Sequence, residues 1–197
     1  MLLINVLLPI GAYLLGSISG ALLTCRWLDL PDPRYQGSGN PGATNVLRES
    51  GKKAALITLI IDVFKGIVAV FIAKLVTASP LILASTSFMV FLGHLYPIFF
   101  QFRGGKGVAT ALGILIILNW QVSLAALATW VMVLIGWRYV SLASIAAAIF
   151  TPAYMFGFTG IPEYILVSFM MGSLLIWRHR SNINNLLTGQ EDKINAA

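Results

Sequence analysis

Two glycine-rich stretches have the residue types to hold an anion. The first reads Gly37-Ser38-Gly39-Asn40-Pro41-Gly42-Ala43-Thr44-Asn45 and continues into Val46-Leu47-Arg48. Glycine allows a tight backbone whose N–H groups point inward; such a nest binds oxyanions, and a helix starting behind it adds its dipole. Ser38, Thr44 and Asn45 offer further donors. The second stretch reads Phe102-Arg103-Gly104-Gly105-Lys106-Gly107-Val108-Ala109-Thr110. A Gly-Gly-Lys-Gly turn that opens a helix is again a phosphate cradle, with Lys106 as a point charge. It is not a nucleotide P-loop: Phe100 stands where the first glycine belongs, and Gly107, followed by Val108, stands where Ser or Thr would hold magnesium. A third polar group joins Arg138-Tyr139-Val140-Ser141-Leu142-Ala143-Ser144 to Arg178-His179-Arg180-Ser181-Asn182. His179 and Asn182, three apart, share a face if helical, and suit anion binding or proton transfer.

Plainer readings exist for each. The first stretch would otherwise be a flexible loop, Arg103 and Lys106 surface anchors, and His179 a solvated histidine. Flexible loops rarely alternate glycine with amides and hydroxyls this densely, and the glycines on both sides of Lys106 favour an anion site.

The elements that carry these segments are apolar. Of 197 residues, 58% are hydrophobic and only 10% charged, against about 25% charged in soluble domains. Mean hydropathy is +0.85, so lipid is the expected solvent. Apolar runs cover Leu2–Thr24, Ala54–Val76, Leu81–Phe100, Val108–Leu118, Gln121–Trp137, Val140–Phe156 and Tyr164–Trp177. This predicts an all-α, polytopic transmembrane bundle of about seven helices in a single domain, residues 1–197. The fourth run has 11 residues, too short to span alone, so runs four and five span or form a re-entrant pair. Leu2–Thr24 lacks a basic n-region and is too long for a signal peptide core; it reads as the first spanning helix.

Charge sets the expected orientation. Arg26, Arg34, Arg48, Lys52, Lys53, Arg103, Lys106, Arg138, Arg178, Arg180 and Lys193, eleven of the thirteen Lys and Arg, fall on one side of this helix count. Cytoplasmic loops carry the Lys/Arg excess, which puts the N-terminus outside, the C-terminus in the cytoplasm and all three polar groups on the cytoplasmic face. The net charge of +6 therefore reflects topology and phosphate binding, not nucleic acid.

Asp62 and Lys65, three apart within an apolar run, are expected to form an intramembrane salt bridge that braces the site; a proton or ion pathway is the sharper alternative. His94 reads as a hydrogen-bonded helix residue. No Cys, His, Asp or Glu cluster has metal spacing, so no metal and no cofactor is expected. The lone Cys25 has no nearby His and reads as packing.

Together these motifs, with Asp62-Val63-Phe64-Lys65-Gly66 and Gly93-His94, resemble the bacterial PlsY family of acyl-phosphate:glycerol-3-phosphate acyltransferases, over nearly the whole chain to Asn182. The resemblance implies a seven-helix bundle in the bacterial inner membrane with a cytoplasmic active site. It implies acyl transfer from acyl phosphate to the 1-hydroxyl of sn-glycerol-3-phosphate, giving lysophosphatidic acid and inorganic phosphate in phospholipid synthesis. By the same resemblance Ser38, Arg48, Lys106, His179 and Asn182 are catalytic. Gly37, Gly39, Asn40, Gly42, Ala43, Thr44, Asn45, Gly104, Gly105, Gly107 and Ser141 would bind substrate, with Ser144 an alternative register for Ser141. The first loop would hold the phosphate of the acyl phosphate. A glutamate that some members carry near the C-terminal motif has no counterpart at Asn184 or Asn185. Membrane lipid and the acyl-phosphate-forming phosphate acyltransferase are candidate partners.

The chemistry fits the residues. An acyl phosphate is a mixed anhydride with a good leaving group and needs no enzyme nucleophile, and none is evident. Catalysis would rest on positioning two repelling dianions among cations and backbone donors. His179 or the acceptor's own phosphate would take the hydroxyl proton. A transporter for phosphorylated solutes would want basic glycine loops too, but usually shows repeats and midplane charges on several helices. A non-catalytic scaffold gives no reason for three polar groups.

Overall fold

The computed structural model describes residues 2–194. They form ten α-helices and two single-turn 3-10 helices, at 33–35 and 98–100. The α-helices are α1 (Leu2–Gly16), α2 (Gly20–Trp27), α3 (Ala43–Ser50), α4 (Lys52–Val76), α5 (Pro80–Leu95), α6 (Val108–Leu118), α7 (Trp120–Trp137), α8 (Val140–Thr159), α9 (Pro162–Arg178) and α10 (Arg180–Leu187).

The count of about seven helices is therefore corrected to ten, for two reasons. The first apolar run is not one helix: it bends by 42° between Gly16 and Gly20. And two short amphipathic helices, α3 and α10, lie in segments read as polar loops. The other apolar runs match helices to within a few residues. Four helices are long and apolar enough to cross a membrane, and five spans result if the bent α1–α2 pair is one. At 1.5 Å per residue the 25-residue α4 is about 37 Å long, enough for a hydrocarbon core of about 30 Å. Large apolar side chains such as Leu59, Ile60, Phe64 and Phe71 on α4 and Ile135 on α7 lie exposed, as lipid contact requires.

The described residues fall into two compact units, divided between Ile117 and Leu118. In the first unit helices approach through glycine. A Cβ on Gly16 would strike the Val90 carbonyl, and one on Gly93 the Tyr13 carbonyl, so α1 and α5 pack nearly backbone to backbone. Gly66 and Gly113 do the same for α4 and α6, against the carbonyls of Thr110 and Val63. Small residues at crossings are how helices pack without a hydrophobic drive. Thr110 Oγ1 donates to the Asp62 carbonyl at 3.0 Å, and Lys74 Nζ donates to the Ile117 carbonyl at 3.1 Å at the end of α6.

The break between α1 and α2 frees backbone groups in a low-dielectric layer, where each must find a partner. Lys65 Nζ donates to the Ile18 carbonyl at 2.7 Å, and Asp62 Oδ1 accepts from the Gly20 N–H at 3.2 Å. The two charges pair at 2.8 Å, each side chain 3% exposed. The expected salt bridge is thus present, and it also closes the helix break. A small core of Ala21, Cys25, Val46, Ala54 and Ala55 then pins α3 against α2 and α4. Cys25 is part of that packing.

In the second unit, α8 packs between α7 and α9. Asn119 caps α7, accepting from the Val122 N–H at 2.9 Å. Trp130 Nε1 donates to Ser144 Oγ at 3.1 Å, and that hydroxyl donates to the Val140 carbonyl at 2.8 Å. Gly172 on α9 lets the Ala148 carbonyl of α8 come close.

Removing one member of a buried ion pair costs about 3–5 kcal/mol. Lys65→Met is expected to lower the melting temperature of the detergent-solubilised protein accordingly. The double change Asp62→Leu with Lys65→Met is expected to give no recovery, because the Ile18 carbonyl and Gly20 N–H would stay unanswered. A double variant as stable as the wild type would show that the pair does not serve the break.

Candidate active site

The first glycine loop is built around one amide. Asn45, in the first turn of α3 and 3% exposed, accepts at Oδ1 from the Ser38 N–H at 3.0 Å and the Ser38 hydroxyl at 3.1 Å. Its Nδ2 donates to the Pro33 and Gln36 carbonyls, each at 3.0 Å. Four hydrogen bonds fold residues 33–38 around its side chain, so Asn45 shapes the loop from within. Gly37 and Gly39 take φ of +51° and +68°, where a Cβ is strained. A Cβ at Gly37 would also meet Asn45 Oδ1 and Glu49 Oε1.

The loop's entry is fixed by Asp32, which accepts from the Arg34 backbone N–H at 2.9 Å and pairs with the Arg34 guanidinium at 2.6 Å. The guanidinium hydrogen bond holds the Asp32 carboxyl below the usual carboxylate range. The pair's contribution to loop order is present at neutral pH and is lost as pH falls through that depressed pKa.

The loop's exit is a helix start. Gly42 is the N-cap of α3 and makes no side-chain cap, so first-turn N–H groups of α3 face outward with the positive end of the dipole. Ser38 is exposed, while Asn40, Ala43 and Thr44 are half-buried. Arg48 lies in the last turn of α3 and is exposed.

The second loop runs from Gly104 to Gly107 and opens α6. It is threaded under the end of α5. The Gly105 N–H donates to the His94 carbonyl at 3.2 Å. A Cβ on Gly104 would strike the His94 and Leu95 carbonyls, and one on Gly105 the His94 ring. Gly107, at φ +92°, lies against the Phe91 ring. Gly104, Gly105 and Gly107 are buried, and Lys106 between them is half-buried. The two loops meet: a Cβ on Gly105 would lie 3.2 Å from the Pro41 carbonyl. Residues 37–45 and 104–107, 59 or more positions apart in sequence, thus share one corner of the first unit.

The second unit gathers a different set. Ser141, on the first turn of α8, donates from Oγ to Glu191 Oε1 at 2.5 Å. Asn182, on α10, donates from Nδ2 to the same oxygen at 2.8 Å. The chain reaches Glu191 by reversing at Gly189, φ +70°, and the Ile194 N–H closes on the Arg138 carbonyl at 2.8 Å. Ser144 is held elsewhere, between Trp130 and Val140. His179, 3% exposed, joins α9 to α10; its Nδ1 is 2.8 Å from the Leu175 carbonyl. A carbonyl there requires Nδ1–H, so in the neutral ring Nε2 carries the lone pair.

Glu191 is the residue that sequence reasoning missed. The only signal was a glycine ending an amphipathic run with an acid two positions on, which shows a turn but not where the tail returns.

Helices of this length and apolarity define an integral membrane protein, and its glycine-rich loops at helix starts have a geometry suited to phosphorylated ligands. A family model described as glycerol-3-phosphate acyltransferase matches residues 6–189. Curated proteins named glycerol-3-phosphate acyltransferase are similar throughout. The one from Methylococcus capsulatus is 50% identical over 185 residues, covering 94% of this chain and 93% of its own. That from Thioalkalivibrio sulfidiphilus is 52% identical over 187 residues, covering 95% and 92%. Among solved structures, PlsY (YgiH), an integral membrane glycerol 3-phosphate acyltransferase, superposes in its glycerol 3-phosphate form with a TM-score of 0.92, at 41% identity over 97% of this chain and 96% of that one. Its lysophosphatidic acid form gives 0.90 at 40% identity, covering 97% and 95%. The chain belongs to the glycerol-3-phosphate acyltransferase family.

Asn45→Asp keeps an acceptor for Ser38 but loses the donors to Pro33 and Gln36. It is expected to loosen residues 33–42, seen as faster amide exchange there, with α4 and α5 unchanged. Unaltered exchange in the loop would contradict the organising role of the amide. In the second unit, Glu191→Ala is expected to speed exchange across residues 138–141 and 180–194; protection equal to the wild type would count against Glu191 as the common acceptor.

Proposed function

We propose that the protein transfers a fatty acyl group from acyl phosphate to the 1-hydroxyl of sn-glycerol-3-phosphate, releasing lysophosphatidic acid and inorganic phosphate. The observation that carries this reading is the meeting of the two glycine loops at Gly105 and Pro41, each loop leading into a helix start. Two phosphorylated reactants need two anion cradles within bonding distance of each other, and this is the most direct way for backbone to supply them. In the PlsY structures named above, one form holds glycerol 3-phosphate and another lysophosphatidic acid; acceptor and product of this chain are assigned by that similarity.

In the proposed mechanism, Gly37, Gly39, Asn40, Gly42, Ala43 and Thr44 present the backbone of the first cradle, with Ser38 adding its hydroxyl and Asn45 holding the loop's shape. Gly104, Gly105 and Gly107 form the second. Arg48 and Lys106 offset the repulsion between dianions and stabilise charge developing on the leaving phosphate. The acceptor hydroxyl attacks the acyl carbon, the carbonyl collapses, and the C–O bond to phosphate breaks. No covalent enzyme intermediate forms. His179 Nε2 or the acceptor's own phosphate takes the hydroxyl proton, while Ser141 and Asn182, aligned by Glu191, orient the acceptor. The donor's fatty chain stays among apolar helices.

The charge distribution supports an orientation with the N-terminus outside, the C-terminus in the cytoplasm and the site on the cytoplasmic face of the bacterial inner membrane. A membrane-retained acyl phosphate also suits delivery from the enzyme that forms it, the candidate partner.

Purified protein given palmitoyl phosphate and glycerol-3-phosphate is expected to release inorganic phosphate, and none when either is omitted. Lys106→Ala is expected to cut kcat by about a hundredfold or more, the usual loss for one electrostatic stabiliser. Ser38→Ala is expected to lower turnover without changing the melting temperature. Full activity in both variants would refute the cradle assignment.

A further inference from the structure

His94 sits between the buried ion pair and the second glycine loop. On one side, its Nδ1 lies 3.5 Å from Asp62 Oδ1, the oxygen that also meets Lys65 and the Gly20 N–H. On the other, its Nε2 faces Gly105 so closely that a Cβ there would strike the ring, and its carbonyl accepts the Gly105 N–H. The three ionisable side chains are buried together, Asp62 at 2%, Lys65 at 4% and His94 at 7% exposure. Asp62 and Lys65 alone already answer the two backbone groups of the helix break. An imidazole between apolar helices is a costly filler where leucine would pack. Its place between Asp62 and the Gly105 backbone gives a reason for that cost.

We propose that His94, oriented by the Asp62–Lys65 pair, is a positioning residue that sets the conformation of the phosphate cradle at Gly104–Gly107. This rests on the reading of that loop as a phosphate cradle. The physical basis is preorganisation. A planar ring wedged between Asp62 Oδ1, 3.5 Å from its Nδ1, and the Gly105 backbone has little room to rotate, so the backbone pressed against it is held at one depth beneath α5. The cradle's N–H groups then need no reorganisation when the anion arrives. The same contact explains why Gly105 tolerates no side chain: the ring fills the space a Cβ would take.

The test is a double-mutant cycle on the full-length purified protein, read as KM and kcat for palmitoyl phosphate and for glycerol-3-phosphate, alongside melting temperature. His94→Asn places an amide nitrogen near the position of Nδ1 and removes the ring edge that faces Gly105. It is expected to raise KM for at least one of the two substrates by about tenfold with kcat within about threefold, a loss of binding rather than of chemistry. Gly105→Ala alone is expected to raise the same KM. In the His94→Asn background it adds less than about twofold, because the ring it would strike is gone. Strictly additive effects, or a folded His94→Asn enzyme with both constants native, would overturn the proposal. Should His94→Asn not fold, His94→Gln, closer in length, replaces it with the same expectations. If neither folds while Gly105→Ala keeps native constants, His94 serves the fold alone and the proposal fails. Lys106→Ala separates the two readings: an inactive Lys106→Ala beside native His94 variants leaves the cradle standing and removes only the positioning role.

Discussion

The first unit depends on a pair of opposite charges placed where charges are least welcome. A spanning helix that breaks must leave a carbonyl and an amide without their own partners, and hydrocarbon offers none. Asp62 and Lys65 supply both from one neighbouring helix, and they neutralise each other while doing so. The bend they stabilise turns α2 toward α3, and the small core around Val46 and Cys25 carries that direction to the first glycine loop. Placement of the first glycine loop is thus tied to a polar contact deep in the helices.

Glycine performs two separate jobs in this fold. At Gly16, Gly93, Gly66 and Gly113 it removes side chains so that helices can touch. At Gly37, Gly39 and Gly107 it allows backbone turns with positive φ. Gly104 and Gly105 belong to the first kind although they sit in a loop, since what they touch is the end of α5. Loop geometry and helix packing are therefore one problem in the first unit, and the second glycine loop inherits the rigidity of α5.

The apolar runs were legible because hydropathy over 15 to 25 residues averages out local exceptions, and Val108–Leu118 matches its helix end to end. The same averaging hid the break at Ser17-Ile18-Ser19, whose small residues barely lower the hydropathy of the run. Helices α3 and α10 have eight residues each, too few turns for a period to stand out. The glycine loops were visible from composition, and the salt bridge from its spacing. What composition does not carry is the use of each polar atom. Asn45 reads as a donor to ligand, yet its amide is spent on Pro33, Gln36 and Ser38. Ser141 and Ser144 are alike in sequence and differ only in partners, Glu191 for one and Trp130 with Val140 for the other.

The fold-back that brings Glu191 to Ser141 and Asn182 has a consequence for how the molecule is made. The shared acceptor follows α10, later in the chain than both the serine and the asparagine it joins. While translation is under way, α8 and α9 can already be inserted and packed with the serine hydroxyl still lacking its carboxylate. That corner therefore closes only once residue 191 has been made, later than the insertion of the two helices whose ends it ties together.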